Sequence, residues 1–175
     1  MHRYVTILLM ALFAVVALAQ TGQAPNPNPL SAEAKQMYTG VKNNLIKMAE
    51  KMPEEHYAFK ASSDIRTFGQ LIGHVADSQA RTCSAVLGSP KNLNAGTKTA
   101  KADLVAALKE SFSLCDQAFD ALTDAKAGEM VSLGQRQSTR LGALVRTVSH
   151  SNEEYGYMAV YLRLKGIVPP SSEGR

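Results

Sequence analysis

Apolar residues recur along this chain at steps of three and four, the period of one face of an α-helix. Ala34, Met37, Val41, Leu45, Met48 and Met52 form the first such stripe, which predicts an amphipathic helix opened by Ser31 as N-cap and stopped at Pro53. Glu54–Asp64 has no period and reads as an irregular connection. Thr67-Phe-Gly-Gln70 has the hydroxyl-then-Gln spacing of a capping box, and it opens a second helix that runs to Gly88. Phe68, Leu71, Val75 and Val86 mark the apolar side of that helix. A third stripe, Leu104, Leu108, Phe112, Cys115, Phe119 and Leu122, predicts a helix over about Lys101–Leu122. Thr123–Gln137 carries Gly128 and Gly134 as breakers. A fourth, long helix follows from Ser138, capped by Ser138 or Thr139, ended by a left-handed Gly166 and barred from continuing by Pro169 and Pro170. Four helices with one broad apolar side each, and no convincing strand, predict an all-α four-helix bundle.

The first 19 residues stand apart from this pattern. Arg3 precedes an uncharged apolar run from Val5 to Ala19, with small residues at Ala17 and Ala19. That is the layout of a secretory signal peptide, and the run is short of the roughly 20 residues a spanning helix needs. The expected organisation is a signal peptide over 1–19, a flexible Pro/Asn-rich leader over 20–30 and one helical domain over 31–175. The expected location is periplasmic or secreted, with no stable membrane insertion after cleavage.

Composition changes this picture little. Hydrophobic residues make up 45% of the chain, enough for one domain with its own core. Loss of Arg3 leaves 18 basic against 15 acidic residues, a mild positive balance. No cluster of Lys and Arg with interleaved aromatics is present, so nucleic acid is not an expected partner. A small-molecule substrate or ligand is, and a homodimer is compatible with the pattern.

The two cysteines bear on topology. Cys83 lies 15 residues beyond Phe68, and Cys115 lies 14 beyond Lys101. At 1.5 Å per residue both sit about 21–23 Å along their helices. They stand level only if the second and third helices run parallel, an arrangement that the long Ser89–Ala100 connection permits as a crossover. An oxidising compartment would then allow a Cys83–Cys115 disulfide, the alternative being two buried thiols.

Candidate chemistry lies on the second and fourth helices. His150 and Glu154 are four residues apart, which stacks an imidazole and a carboxylate on one helix face. His74 falls beside the apolar side of the second helix. Bundles build metal sites in their cores from such side chains on facing helices. His74, His150 and Glu154 suit zinc, nickel or ferrous iron and leave a coordination position open. Asp77, three residues from His74, is a candidate supporting group or spare ligand. Tyr157 and Tyr161 recur on the face of His150 and are candidates to border a pocket. His56 lacks a partner at helical spacing and reads as a surface or loop-packing residue. Read without a metal, the same residues make a non-catalytic bundle that binds a small ligand or a protein partner.

RTFGQLIGHVADSQ, which holds His74, resembles the second-helix motif of the DinB-like four-helix-bundle superfamily. The run from His150 to Pro170, H-x-x-x-E-Y-G-Y-M-A-V-Y-L-R-L-K-G-I-V-P-P, is similar to that family's H-x-x-x-H…G-Q…YLR-x-x-G-x-x-P-P signature. The resemblance covers about Ser31 to Ser172. It implies a bundle with metal ligands at His74, at His150 and at position 154, where this sequence has Glu in place of the family's His. It also implies a metal-dependent enzyme of transferase, isomerase or hydrolase type. Thiol-dependent transfer fits an exported protein poorly, because low-molecular-weight thiols are cytoplasmic co-substrates.

Overall fold

The computed structural model of the protein describes residues 26–174. The expected signal peptide over 1–19 and the leader up to residue 25 lie outside them. Four long helices are present: α1 (Pro29–Lys51), α2 (Phe68–Val86), α3 (Lys101–Asp120) and α4 (Arg140–Leu164). α1 and α2 each pack against both α3 and α4, which closes the bundle. Leu45, Met48, Phe68, Ile72, Phe112 and Leu144 are almost wholly withdrawn from solvent in its centre. Among the described residues, no helix is long and apolar enough to cross a membrane.

Two details of α1 differ from expectation. The helix starts at Pro29 rather than after Ser31, because Pro is suited to the first helical turn, where its missing N–H would have had no partner anyway. The cap comes from far along the chain: the Asp124 carboxylate accepts from the N–H of Leu30 at 3.1 Å, the N–H of Ser31 at 2.8 Å and the Ser31 hydroxyl at 2.7 Å. The buried stripe also uses Tyr38 in place of Met37, which is 52% exposed. Tyr38 stacks on Phe119 at 4.2 Å between ring centroids, and the one proton of its hydroxyl is shared between two acceptors, Asp116 Oδ1 at 2.7 Å and the Phe112 carbonyl at 2.9 Å. A phenol with two partners can be buried where Met would bring only apolar area.

The capping box of α2 forms as read: Gln70 N–H donates to Thr67 Oγ1 at 3.1 Å, and Thr67 N–H donates to Gln70 Oε1 at 2.9 Å. The connection from α2 to α3 then runs back along α2. Asp77 Oδ1 and Oδ2 accept the backbone N–H groups of Ala95 and Gly96 at 2.8 and 2.9 Å and pin the connection there. Gly73 permits this approach, since a Cβ on it would lie 2.8 Å from the Ala95 carbonyl oxygen. α3 is thereby delivered parallel to α2: Leu104 packs beside Gly69 near the start of both helices, and Cys115 meets Cys83 further along. The two cysteines form a disulfide with a Cα–Cα distance of 4.9 Å.

The 123–139 segment departs from the expectation of no strand. It holds a short antiparallel hairpin, β1 (Met130–Leu133) and β2 (Arg136–Thr139), with Val131 opposite Ser138. Gly134, at φ 69°, is the first of its two turn residues, a position that demands positive φ in a type II′ turn. The strands are too short and too polar to show a period, and Val131 is their one buried residue. The hairpin packs against α2 and leads directly into α4, where Thr139 caps the helix by accepting from Gly142 N–H at 3.0 Å.

Candidate metal centre

α2 and α4 run antiparallel. The Tyr161 hydroxyl donates to the Arg66 carbonyl at 2.7 Å at one end of the pair, and Arg140 Nη1 donates to the Val86 carbonyl at 2.8 Å at the other. Between these ties, His74 comes level with His150. A buried polar bridge helps to hold the register: the Gln79 amide donates to Ser151 Oγ at 2.7 Å, and both residues are fully enclosed.

Three donor atoms converge at this level. His74 Nε2 and His150 Nε2 are 3.0 Å apart, and Glu154 Oε1 lies 3.5 Å from the first and 3.6 Å from the second. Glu154 is 5% exposed and forms the floor, while both imidazoles are half-buried and face the opening. Glu154 Oε2 is buried without a hydrogen-bond partner among the described residues.

Burial, first, holds the His74 imidazole below its usual value, and the charges of Arg66 and Arg81, with that of His150 when it is protonated, act in the same direction against the opposing Asp77. Burial likewise lowers His150; Glu153 opposes this, and Arg146, Arg81 and Arg66 add to it. Burial raises Glu154 above the usual carboxyl range, with Arg66 pulling it back. Both imidazoles are therefore neutral near pH 7, with lone pairs available. The His–Glu contacts are then not ion pairs, and at 3.5–3.6 Å they are too long for hydrogen bonds. Two neutral imidazoles can satisfy one another through a single Nε2–H, but the carboxylate is left out of that arrangement.

This donor set fits a divalent ion. Bonds of about 2.0–2.2 Å place two ligands of one ion roughly 3–3.7 Å apart for angles between right and trigonal. All three observed separations fall in that span. An ion at the common point would take Glu154 Oε1 as its ligand and so give this buried carboxylate a counter-charge.

The comparisons with known proteins bear on the same residues. A family model described as the DinB superfamily matches residues 37–158. The chain belongs to the DinB superfamily. The matched span contains all three donors. Among solved structures, this DinB superfamily chain is similar to a DinB-like protein from Bacillus cereus, with 16% identity, a TM-score of 0.68, and coverage of 78% of this chain and 93% of that one. A DinB-like protein from Bacillus subtilis is similar at 16% identity and a TM-score of 0.57, over 77% of this chain and 92% of that one. At such identity these likenesses speak for the fold. No curated protein matches the sequence.

The other candidate residues of this DinB bundle lie outside the donor cluster. Asp77 is not part of the donor cluster, since both its oxygens hold the Ala95–Gly96 backbone. Tyr157 and Tyr161 line a cavity of about 470 Å³ on the Glu154 side, together with Ile65, Leu71 and Val160. Their hydroxyl protons are already given, Tyr157 to Glu153 Oε1 at 2.8 Å and Tyr161 to the Arg66 carbonyl. His56 sits in a short 3-10 turn away from the cluster. Sequence reasoning missed Arg81, Arg136 and Arg146, which line a second cavity of about 360 Å³ on the histidine side. Arg81 is seven residues after His74 and Arg146 four before His150, so helical spacing contained the signal for those two. Arg136 lies on the hairpin that the pattern did not reveal.

Proposed function

We propose that this protein is an exported, divalent-metal-dependent enzyme of hydrolase or transferase type, with the ion held by His74, His150 and Glu154. The observation that carries the reading is the convergence of His74 Nε2, His150 Nε2 and Glu154 Oε1 within 3.6 Å of one another, on a buried carboxylate whose other oxygen, Oε2, has no hydrogen-bond partner among the described residues. Zinc, nickel and ferrous iron all suit two imidazoles and a carboxylate. An ion in this set supplies Lewis acidity toward a substrate oxygen. Three protein ligands leave room for substrate, as in catalytic rather than structural sites. The chain's own part is to keep the imidazoles neutral, to hold them at one level through the Gln79–Ser151 bridge and to wall off Glu154 from water. Export is supported by the signal-peptide pattern and by the Cys83–Cys115 disulfide, which suits an oxidising compartment.

The second reading, a non-catalytic bundle that binds a ligand or partner, is favoured by the 3.0 Å contact between the imidazoles, which can be a plain hydrogen bond. Elemental analysis of protein purified without a metal-affinity tag, before and after supplementation with zinc, nickel or iron, separates the two. The enzyme reading expects about one ion per chain, largely lost in His150→Ala and weakened in Glu154→Gln. Absence of stoichiometric metal after supplementation leaves the second reading. Glu154→His is expected to bind zinc as tightly or more so.

A further inference from the structure

Two cavities flank the candidate metal centre, Glu154 lining one and His74 and His150 the other, and these two sides differ in chemistry. One end, beyond Glu154, is a mostly apolar cavity walled by Ile65, Leu71, Val160 and Tyr161, with Asp64 and Arg66 also on its wall. The other end, beyond the imidazoles, is lined by Arg81 from α2, Arg136 from β2 and Arg146 from α4, with the hydroxyls of Ser78, Thr82 and Thr147 between them.

No acidic residue lines the arginine end. Among the described residues, the arginine ion pair is Arg140 with Glu129, and none of Arg81, Arg136 and Arg146 has one. Three arginines from three separate elements thus line one depression, and no carboxylate lines it with them, although Asp77 shares an adjoining cavity with Arg81. Gathering like charges in a concave wall raises the potential there and favours occupation by an anion. Guanidiniums stay charged at any physiological pH, and their forked donors match carboxylate and phosphate oxygens.

We propose that the arginine pocket binds the anionic group, carboxylate or phosphate, of a substrate whose apolar body lies in the cavity beyond Glu154, with the bond to be attacked held at the triad between them. The assignment of this ligand as substrate rests on the metal-enzyme reading. It narrows the substrate to an organic anion with an apolar portion. The hairpin then has a role of its own, since it carries the third arginine to the rim of the site.

The test is calorimetric titration of the purified chain, metal-free and zinc-loaded, with inorganic phosphate, with straight-chain carboxylates from acetate to decanoate and with alkyl phosphates of matched length. Phosphate is expected to bind both forms, and Arg81→Gln/Arg146→Gln to weaken it at least tenfold in each, with zinc content unchanged. Arg136→Gln alone is expected to weaken it by a smaller factor. Affinity should rise with chain length, roughly fourfold per methylene until the cavity is full, and Val160→Asp should flatten that rise without changing phosphate affinity. The tighter of the two matched series names the head group. Phosphate affinity indifferent to the arginines, or no binding of either anion by the wild type, overturns the pocket. A flat chain-length series overturns the apolar half. Zinc bound normally alongside arginine-independent phosphate sinks this proposal alone, whereas arginine-dependent phosphate binding by a chain that takes up no zinc when it is supplied sinks the metal reading instead.

Discussion

Replacing Glu154 by Met should make the metal-free protein more stable while destroying its response to metal. Met is close to Glu in length and carries no group that needs a hydrogen bond. Glu154 is 5% exposed, its Oε2 has no partner among the described residues, and its Oε1 is 3.5 and 3.6 Å from the nearest imidazole nitrogens. An unsatisfied buried polar group costs about 1–3 kcal/mol. For a chain of this size each kcal/mol moves the melting temperature by about 2–4 °C, so the chelated variant should melt roughly 2–12 °C above the chelated wild type at neutral pH. Zinc at a hundred times its dissociation constant should then raise the wild type by about 2.7 kcal/mol, or roughly 5–11 °C, and leave the variant unmoved. The pH dependence has a definite sign. Burial raises the folded-state pKa of Glu154, so its protonated form is compatible with the fold, and stability is lost as pH rises through that raised value. The gap between variant and wild type should therefore narrow as pH falls to about 4, where the carboxyl takes up its proton in the unfolded chain as well. Circular-dichroism melts with and without chelator supply all these numbers. A chelated variant that melts below the chelated wild type at neutral pH, or a zinc shift equal in both, would refute the reasoning.

Three further outcomes are expected. Cys83 and Cys115 close a loop with a sequence separation of 32, and chain entropy for such a loop is worth about 3–4 kcal/mol; Cys83→Ala/Cys115→Ala should lower the melting temperature by roughly 6–16 °C, and two free thiols in the denatured, unreduced wild type would contradict the bond. Because burial and the neighbouring positive charges hold both imidazoles below their ordinary value, zinc should survive dialysis down to the ordinary imidazole range near about pH 6.5 and be lost further into acid; loss that begins above neutrality would go against that electrostatic account. Gly73→Ala places a Cβ 2.8 Å from the Ala95 carbonyl oxygen, at a cost of about 1–3 kcal/mol that outweighs the roughly 1 kcal/mol gain in helix propensity; a higher melting temperature would show that the connection does not press on α2 there.

Much of this protein is legible in short stretches of sequence, because helices obey local rules. The stripes of α2 and α3, the Thr67–Gln70 capping box and the left-handed Gly166 at φ 70° follow from residues within a turn or two of each other. The pairing of His150 with Glu154 is local in the same sense. Chain arithmetic also permits the parallel course of α2 and α3, since two cysteines at equal heights and a long connection leave that solution open, and the Cys83–Cys115 bond bears it out. What tertiary structure alone decided is non-local. Tyr38 displaced Met37 from the core because Phe112, Asp116 and Phe119, more than 70 residues away, gave its ring and hydroxyl their partners. Asp124 caps α1 across 93 residues, which no window around Ser31 can show. The hairpin is a pair of four-residue strands, too short for a period, stabilised by its turn and by packing on α2. His74 became a partner of His150, and Arg136 joined Arg81 and Arg146, only once α4 had folded back antiparallel on α2. Helical periodicity shows which face of an element is buried; which residues meet across that face depends on the heights and directions at which the elements pack.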